Sequence, residues 1–189
     1  MDGSVRGVAT LVPRLAVGPV LTTNFDRVLE AAFGDAGSRF LEVLWGARVA
    51  MALKGVTSNQ RLLIKLHGDF EDGQDRVLTL GEYTKAYGSS DANMVDLSQP
   101  LPRLFRLILH NRPLLFLGCS LNGDRTLRVL RQVAQDDPEL IHYAIVELPA
   151  AGAYVPERDK FLSDHCIRPI WYPNGQHQSV ALILRSYLD

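Results

Sequence analysis

Cysteine, long apolar runs and clustered charge are all scarce in this chain of 189 residues. Its two cysteines, Cys119 and Cys166, are too few for a disulfide framework and form no Cys-x-x-Cys pair for zinc or redox chemistry. No apolar run approaches the roughly 20 residues of a membrane-spanning helix, and the N-terminal residues do not resemble a secretion signal. We therefore expect a cytoplasmic protein that does not contact a membrane.

An excess of charge of either sign is also lacking. Lysine and arginine number 20 against 21 aspartates and glutamates, and no block of five like charges occurs. This balance predicts no nucleic-acid partner. No two histidines stand at the spacing of a helical metal site, and His165 has only Cys166 beside it, so we expect no metal.

The chain does contain enough apolar residues, 47%, to bury one core, which predicts a single domain over residues 1–189. Strand-like segments lie at residues 20–22, 61–66, 113–117, 143–148 and 167–172. Helical patterns alternate with them, and the clearest is the amphipathic helix that starts at Pro100. This alternation predicts an α/β fold with a doubly wound, mostly parallel sheet in three α/β/α layers.

The remaining segments give weaker patterns. Residues 40–45 and 77–79 have the character of short strands, and residues 46–59 are ambiguous. The polar stretch at residues 88–99 predicts a loop that is a candidate lid. A helical pattern begins at Phe25, which makes Asn24 its expected N-cap.

Polar residues follow three of the predicted strands. They are Thr-Thr-Asn-Phe-Asp at residues 22–26, His-Gly-Asp at 67–69, and Gly-Cys-Ser-Leu-Asn-Gly-Asp at 118–124. Because the carboxyl ends of parallel strands meet at one sheet edge, Asn24, His67 and Ser120 are predicted to converge on one crevice. Each also has a plainer interpretation: Asn24 as a helix cap, His67 as a packed side chain, and residues 118–123 as a turn.

Together and in this order, the three stretches resemble the sirtuin-like (silent-information-regulator-like) superfamily, in the form found in bacterial defence systems. The resemblance covers roughly residues 19–188 and implies a Rossmann-like domain that binds NAD+. Two departures stand out. The four-cysteine zinc module of the deacylases is absent, which disfavours protein deacylation. The family's N-terminal strand and Gly-Ala-Gly loop, which approach the pyrophosphate, have no counterpart before residue 19.

The resemblance implies hydrolysis of NAD+ to nicotinamide and ADP-ribose, with Asn24 and His67 as catalytic residues. Asn24 suits the orientation of water or ribose hydroxyls, and His67 suits proton transfer near neutral pH. Asp26 would hold the nicotinamide carboxamide or cap the helix. NAD+ depletion in antiphage defence is the implied role, and such an enzyme needs restraint by a regulatory protein, a further domain or a homo-oligomer.

The remaining cofactor-binding residues implied by the resemblance are Thr22, Thr23, Gly118, Ser120, Leu121 and Asp124. Gly118 allows close backbone approach, Ser120 offers a hydroxyl, and Asp124 would reach a ribose hydroxyl or cap a helix. Two other functions stay open. A non-catalytic module of the same fold would bind a nucleotide or a partner protein. A serine hydrolase is suggested by the near match of residues 118–123 to a nucleophile elbow.

Overall fold

The fold alternates short strands with helices along the whole chain. The computed structural model describes residues 5–73, 75–88, 95–122, 125–149 and 155–189. The strands are β1 (Val20–Thr22), β2 (Glu42–Trp45), β3 (Leu62–Lys65), β4 (Leu115–Phe116), β5 (His142–Glu147) and β6 (Ile167–Tyr172). The α-helices are α1 (Val12–Leu15), α2 (Val28–Asp35), α3 (Ala52–Thr57), α4 (Leu80–Tyr87), α5 (Pro100–Asn111), α6 (Arg125–Asp136), α7 (Val155–Ser163) and α8 (Gln178–Ser186). Two 3₁₀ helices span Gly7–Leu11 and Gly46–Met51.

The described strands pair in two parallel groups of three, in the orders β1-β3-β2 and β4-β5-β6. In the first group Thr22 of β1 is in register with Lys65 of β3, and the amide of Leu66 donates to the Thr22 carbonyl at 2.8 Å. The carboxyl ends of β1 and β3 are therefore neighbours. The parallel α/β class predicted from the sequence is confirmed.

The two faces of the second sheet contact different apolar clusters. Ala144 and Val146 of β5 belong to the main core, which also includes Leu104 and Ile108 of α5 and Leu130 of α6. Ile145, between Ala144 and Val146, packs in a second cluster of Leu11, Tyr172 and Leu184. Alternate residues of one strand thus face opposite layers, as expected for a sheet with helices on both sides.

Two local predictions from the sequence are wrong. Asn24 does not cap α2, because the helix begins later, at Val28, whose amide donates to Asp26 Oδ1 at 3.0 Å. Residues 77–79 form no strand. Thr79 instead caps α4 in a reciprocal capping box with Glu82, whose carboxylate accepts the amides of Leu78 and Thr79. Half of the candidate lid, residues 89–94, lies outside the described residues.

Candidate functional site

The loop between β1 and α2 is held by its own polar side chains. Oγ1 of Thr22, the last residue of β1, accepts a hydrogen bond from the backbone amide of Asn24 at 3.1 Å. Asp26 Oδ1 accepts the backbone amide of Val28, and the side chains of Thr23, Asn24 and Asp26 are exposed. An open cavity of about 700 Å³ is lined by Thr23, Asn24, Phe25, Asp26, Arg27 and Phe70. The predicted loop therefore faces a cavity and presents an amide and a carboxylate to it.

His67 follows β3 and lies beside this loop. Its ring is partly buried, with its centroid 6.5 Å from that of Phe25, a residue that lines the cavity. On its other side, the ring meets Tyr83 edge-on, and the Tyr83 hydroxyl lies 3.4 Å from Nε2. The amide of Val77 donates to the His67 carbonyl at 2.9 Å. His67 and Asn24 thus belong to adjacent loops, and Phe25 lies next to both.

The side chain of Lys65, the last residue of β3, contacts both of these loops. Its side chain is fully buried, and Nζ lies 2.7 Å from Asp69 Oδ2, 2.7 Å from Glu30 Oε1 and 2.7 Å from the carbonyl oxygen of Asp26. The ammonium therefore binds the loop after β1, the helix α2 and the loop after β3 at once. Because a buried ammonium needs compensating oxygens, this cluster fixes the relative positions of all three segments.

Asp69 is the second buried charge of the cluster. Burial alone would raise the pKa of its carboxyl, but several interactions outweigh burial and leave that pKa below its usual range. These are hydrogen bonds from Lys65 and from the amide of Glu71, with the charges of Lys65 and Arg27. Asp69 therefore stays ionised, and it contributes stability above its ordinary pKa that is lost as the pH falls through its lowered pKa.

The third predicted stretch lies in a second cavity. Gly118 and Ser120 line a cavity of about 590 Å³, together with residues that follow β5 and β6. The backbone of Gly118 and of Leu121 has positive φ, 65° and 51°, and the Leu121 side chain is buried. Asp124 lies outside the described residues. The structure therefore brings Thr22, Thr23, Asn24, Asp26 and His67 to one sheet edge, while Gly118 and Ser120 line a separate cavity.

The arrangement around Ser120 does not match a serine nucleophile. A hydrolase of the nucleophile-elbow type would need a general base, a histidine in this alternative, within hydrogen-bonding reach of Ser120. Within the described ranges, no histidine forms a hydrogen bond with the Ser120 side chain. His177 lines the same cavity, but its Nδ1 lies 3.1 Å from the Tyr172 hydroxyl. The geometry thus disfavours the serine-hydrolase alternative.

The three loops lie within a region that matches a known protein family. A family model described as the SIR2-like domain matches residues 19–170, which include all three strand-end stretches and most of the chain. The chain belongs to the SIR2-like domain family. No curated protein matches the sequence. Membership of this family supports a function that involves NAD+, as the resemblance of the three stretches predicts.

Two further features of the SIR2-like domain concern metal binding and membranes. Within the described ranges, no three His, Cys, Asp or Glu side chains come together as a candidate metal site. In the same ranges, none of the helices combines the length and apolar character needed to cross a membrane.

The sequence interpretation missed the buried ion pairs of Lys65 that hold the two loops. Lys65, Glu30 and Asp69 were not among the predicted site residues, although the pattern contained a signal. Lys65 interrupts the apolar run of residues 62–66, and lysine is rarely found fully buried unless it is paired. A lysine inside a buried parallel strand, with an aspartate four residues later, is therefore a recognisable sign of an internal ion pair.

Gly68 separates His67 from Asp69 and allows a backbone conformation that other residues adopt with difficulty. Its φ is +100°, and a Cβ there would lie 2.6 Å from the carbonyl oxygen of Asp75. We expect Gly68→Ala to lower the free energy of unfolding by about 1–3 kcal/mol, measured by chemical denaturation. Gly73→Ala is the matched control, because a Cβ at Gly73 meets nothing within 4 Å. Equal stability of the two variants would contradict this interpretation.

Proposed function

We propose that this SIR2-like domain hydrolyses NAD+ to nicotinamide and ADP-ribose. The observation that supports it best is the joint anchoring of the two loops that bear Asn24 and His67. Buried Lys65 binds the Asp26 carbonyl in one loop and the Asp69 carboxylate in the other, each at 2.7 Å. An enzyme that relies on positioned polar groups needs such rigid support, because small displacements of those groups reduce the rate strongly.

In the proposed reaction, the bond between the anomeric carbon of the ribose and the nicotinamide nitrogen breaks. Its electron pair leaves with nicotinamide, the oxygen of water bonds to the anomeric carbon, and the released proton is taken up by a base. Asn24 orients the water or the ribose hydroxyls with its amide, and His67 accepts the proton. Asp26 holds the nicotinamide carboxamide. Since Asp26 Oδ1 already accepts the amide of Val28, its other oxygen is the one that serves this role.

The second cavity is proposed to receive the nucleotide end of the substrate. Gly118, Ser120 and Leu121 lie in the loop after β4, in which Gly118 and Leu121 have positive φ. Backbone amides of such a loop are proposed to face the ligand. Thr23 lines the first cavity, and Thr22, at the end of β1 beside it, is proposed to contribute to binding. Asp124 is proposed to bind a ribose hydroxyl. No metal is needed for this reaction in our proposal.

The cellular role follows from the chemistry. An enzyme that consumes NAD+ harms its own cell unless it is restrained, so we propose a regulatory protein, a further domain or a homo-oligomer as its partner. Depletion of cytoplasmic NAD+ in antiphage defence is the role that the family resemblance supports. Residues 1–189 act as one domain in this proposal.

Release of nicotinamide from NAD+ tests the proposal directly. We expect the wild-type chain to release nicotinamide, and Asn24→Ala and His67→Ala to be at least about 100-fold slower, as is typical when a positioned polar or acid–base group is lost. Asn111→Ala and His110→Ala are the matched controls, since both residues lie at the end of α5 and outside the two cavities. Melting curves verify that each variant is folded.

Three outcomes would argue against parts of this proposal. Equal rates for all five proteins would remove Asn24 and His67 from the catalytic site. Release of nicotinamide without ADP-ribose as the other product would contradict hydrolysis. Calorimetric binding of NAD+ with no turnover would favour the alternative of a non-catalytic nucleotide-binding module.

A further inference from the structure

Arg158 of α7 lines the second cavity with a charge that no carboxylate balances within the described residues. Its Nη2 donates to the Ser120 carbonyl at 2.6 Å, and its guanidinium carbon lies 5.1 Å from the centre of the Phe161 ring. The side chain is partly buried, and burial lowers the pKa of the guanidinium. A guanidinium has five N–H donors, so a single carbonyl partner leaves most of them available to a ligand.

Two lysines of the chain are neutralised by carboxylates, whereas Arg61 and Arg112 are, like Arg158, half-buried without a salt bridge among the described residues but do not line this cavity. Lys65 is neutralised by two carboxylates, and Lys160 is paired with Asp164, four residues later, at 2.8 Å. Arg158 lies two residues before Lys160 but faces the cavity. Removing a guanidinium from water without a counter-charge is unfavourable, and an anion bound in the cavity would offset that cost.

The neighbouring side chains narrow the class of anion. Glu147, at the end of β5, lines the same cavity and accepts the amide of Gly175. A carboxylate repels phosphate but accepts hydrogen bonds from sugar hydroxyls, whereas a guanidinium binds phosphate oxygens in pairs. Ser120 and Asn174 add a hydroxyl and an amide to the lining. A phosphorylated ribose satisfies both charges, because it offers phosphate oxygens to one and hydroxyl groups to the other.

We infer that Arg158 binds a phosphate group of a nucleotide in the second cavity, beside the Ser120 loop. This inference rests on the proposed function in taking NAD+ as the natural ligand, and it adds to that function a phosphate contact from α7. Because Arg158 also holds the Ser120 carbonyl, the same side chain connects the phosphate to the loop after β4.

Calorimetric titration with ADP and with adenosine tests this contact, since the two probes differ only in the diphosphate. We expect Arg158→Met to weaken ADP binding by about 10- to 100-fold, the typical effect of losing a charge-assisted pair of hydrogen bonds. Adenosine binding should change by less than about twofold, a difference near the spread of context-dependent effects. Arg158→Lys should give an intermediate ADP affinity, because lysine retains the charge but not the planar fork.

Arg168→Met is the matched control for the loss of one positive charge, since Arg168 is exposed on β6 and outside the cavity lining. It should leave ADP binding unchanged. Added salt should weaken ADP binding to the wild type more than to Arg158→Met. Melting curves identify variants that do not fold, and Arg158→Lys then provides the comparison.

Several results would overturn the inference. They are undetectable ADP binding by the wild type, unchanged ADP binding in Arg158→Met, or an equal loss for ADP and adenosine. The proposed function fails separately. If NAD+ is not hydrolysed while ADP binding depends on Arg158, the phosphate contact stands without the hydrolase. If NAD+ is hydrolysed with the same KM in Arg158→Met, the hydrolase stands without this contact.

Discussion

Replacing Lys65 with methionine is expected to lower the free energy of unfolding by about 3–5 kcal/mol, because the variant leaves the buried Asp69 carboxylate and the partly buried Glu30 carboxylate without their counter-charge. Asp69 is 2% exposed and would keep only the Glu71 amide and the charge of Arg27, and Glu30 Oε2 has no hydrogen-bond partner in the described residues, so both carboxylates lose their main compensation with the ammonium. Methionine matches the length of lysine, which limits the contribution of an empty cavity. Chemical denaturation at neutral pH measures the effect.

A second variant distinguishes the contribution of unpaired charge from that of packing to the stability lost in Lys65→Met. Adding Asp69→Asn and Glu30→Gln to Lys65→Met removes the unpaired charges, and we expect the triple variant to recover a large part of the lost stability. Lys54→Met is the matched control, since Lys54 is exposed on α3 and its loss should change stability by less than about 0.5 kcal/mol. A triple variant no more stable than Lys65→Met would show that packing, and not unpaired charge, determines the cost.

The elements predicted well from the sequence are those whose signals are local. The amphipathic pattern after Pro100 became α5, Pro100–Asn111, with its apolar residues buried. The strand predicted at residues 167–172 is β6 with the same bounds. The helical pattern is long and strongly periodic, the strand is a short run rich in apolar and aromatic residues, and the packing of the core agrees with both.

The start of α2 was mispredicted because two side chains compete for the same role. Asn24 and Asp26 are both good capping residues, and sequence preference does not decide between them. In the structure, the backbone amide of Asn24 donates to Thr22 Oγ1, and Asp26 accepts the backbone amide of Val28. The helix therefore begins at Val28 and not at Phe25. The displaced start leaves the Asn24 side chain exposed at the cavity, so the error concerns a residue of the candidate site.

The order of the strands was the other feature that could not be predicted from the sequence. The ends of β1, β3 and β4 were predicted at one edge of one sheet, but strand pairing depends on contacts between distant residues. Here β1 and β4 are end strands of two different parallel groups, and Asn24 and Ser120 line different cavities. The cluster around Lys65 was missed for the same reason, since Glu30 lies 35 residues before the lysine it binds.

The second large effect concerns His142, the first residue of β5, whose side chain is 1% exposed. Nδ1 accepts the amide of Leu114 at 3.3 Å, which places the proton of the neutral ring on Nε2, and Nε2 has no hydrogen-bond partner in the described residues. Burial lowers the pKa of His142 to about 4, and the charge of His110 contributes to the same direction. The folded chain therefore resists protonation that the unfolded chain accepts near pH 6.5.

This difference predicts a loss of stability in mild acid. Above pH 6.5 His142 is neutral in both states, and between pH 6.5 and about 4 only the unfolded state gains the proton, so the free energy of unfolding falls as the pH decreases. Between pH 6.5 and about 4, His142 alone is expected to lower the free energy of unfolding by about 3 kcal/mol. We expect His142→Asn, which can keep an acceptor for the Leu114 amide but does not titrate, to lack this part of the decrease. His177→Asn, at an exposed imidazole, is the control and should retain the full decrease in stability. Urea denaturation between pH 7 and 4.5 measures the effect. Equal pH dependence of the wild type and His142→Asn would show that His142 is not responsible.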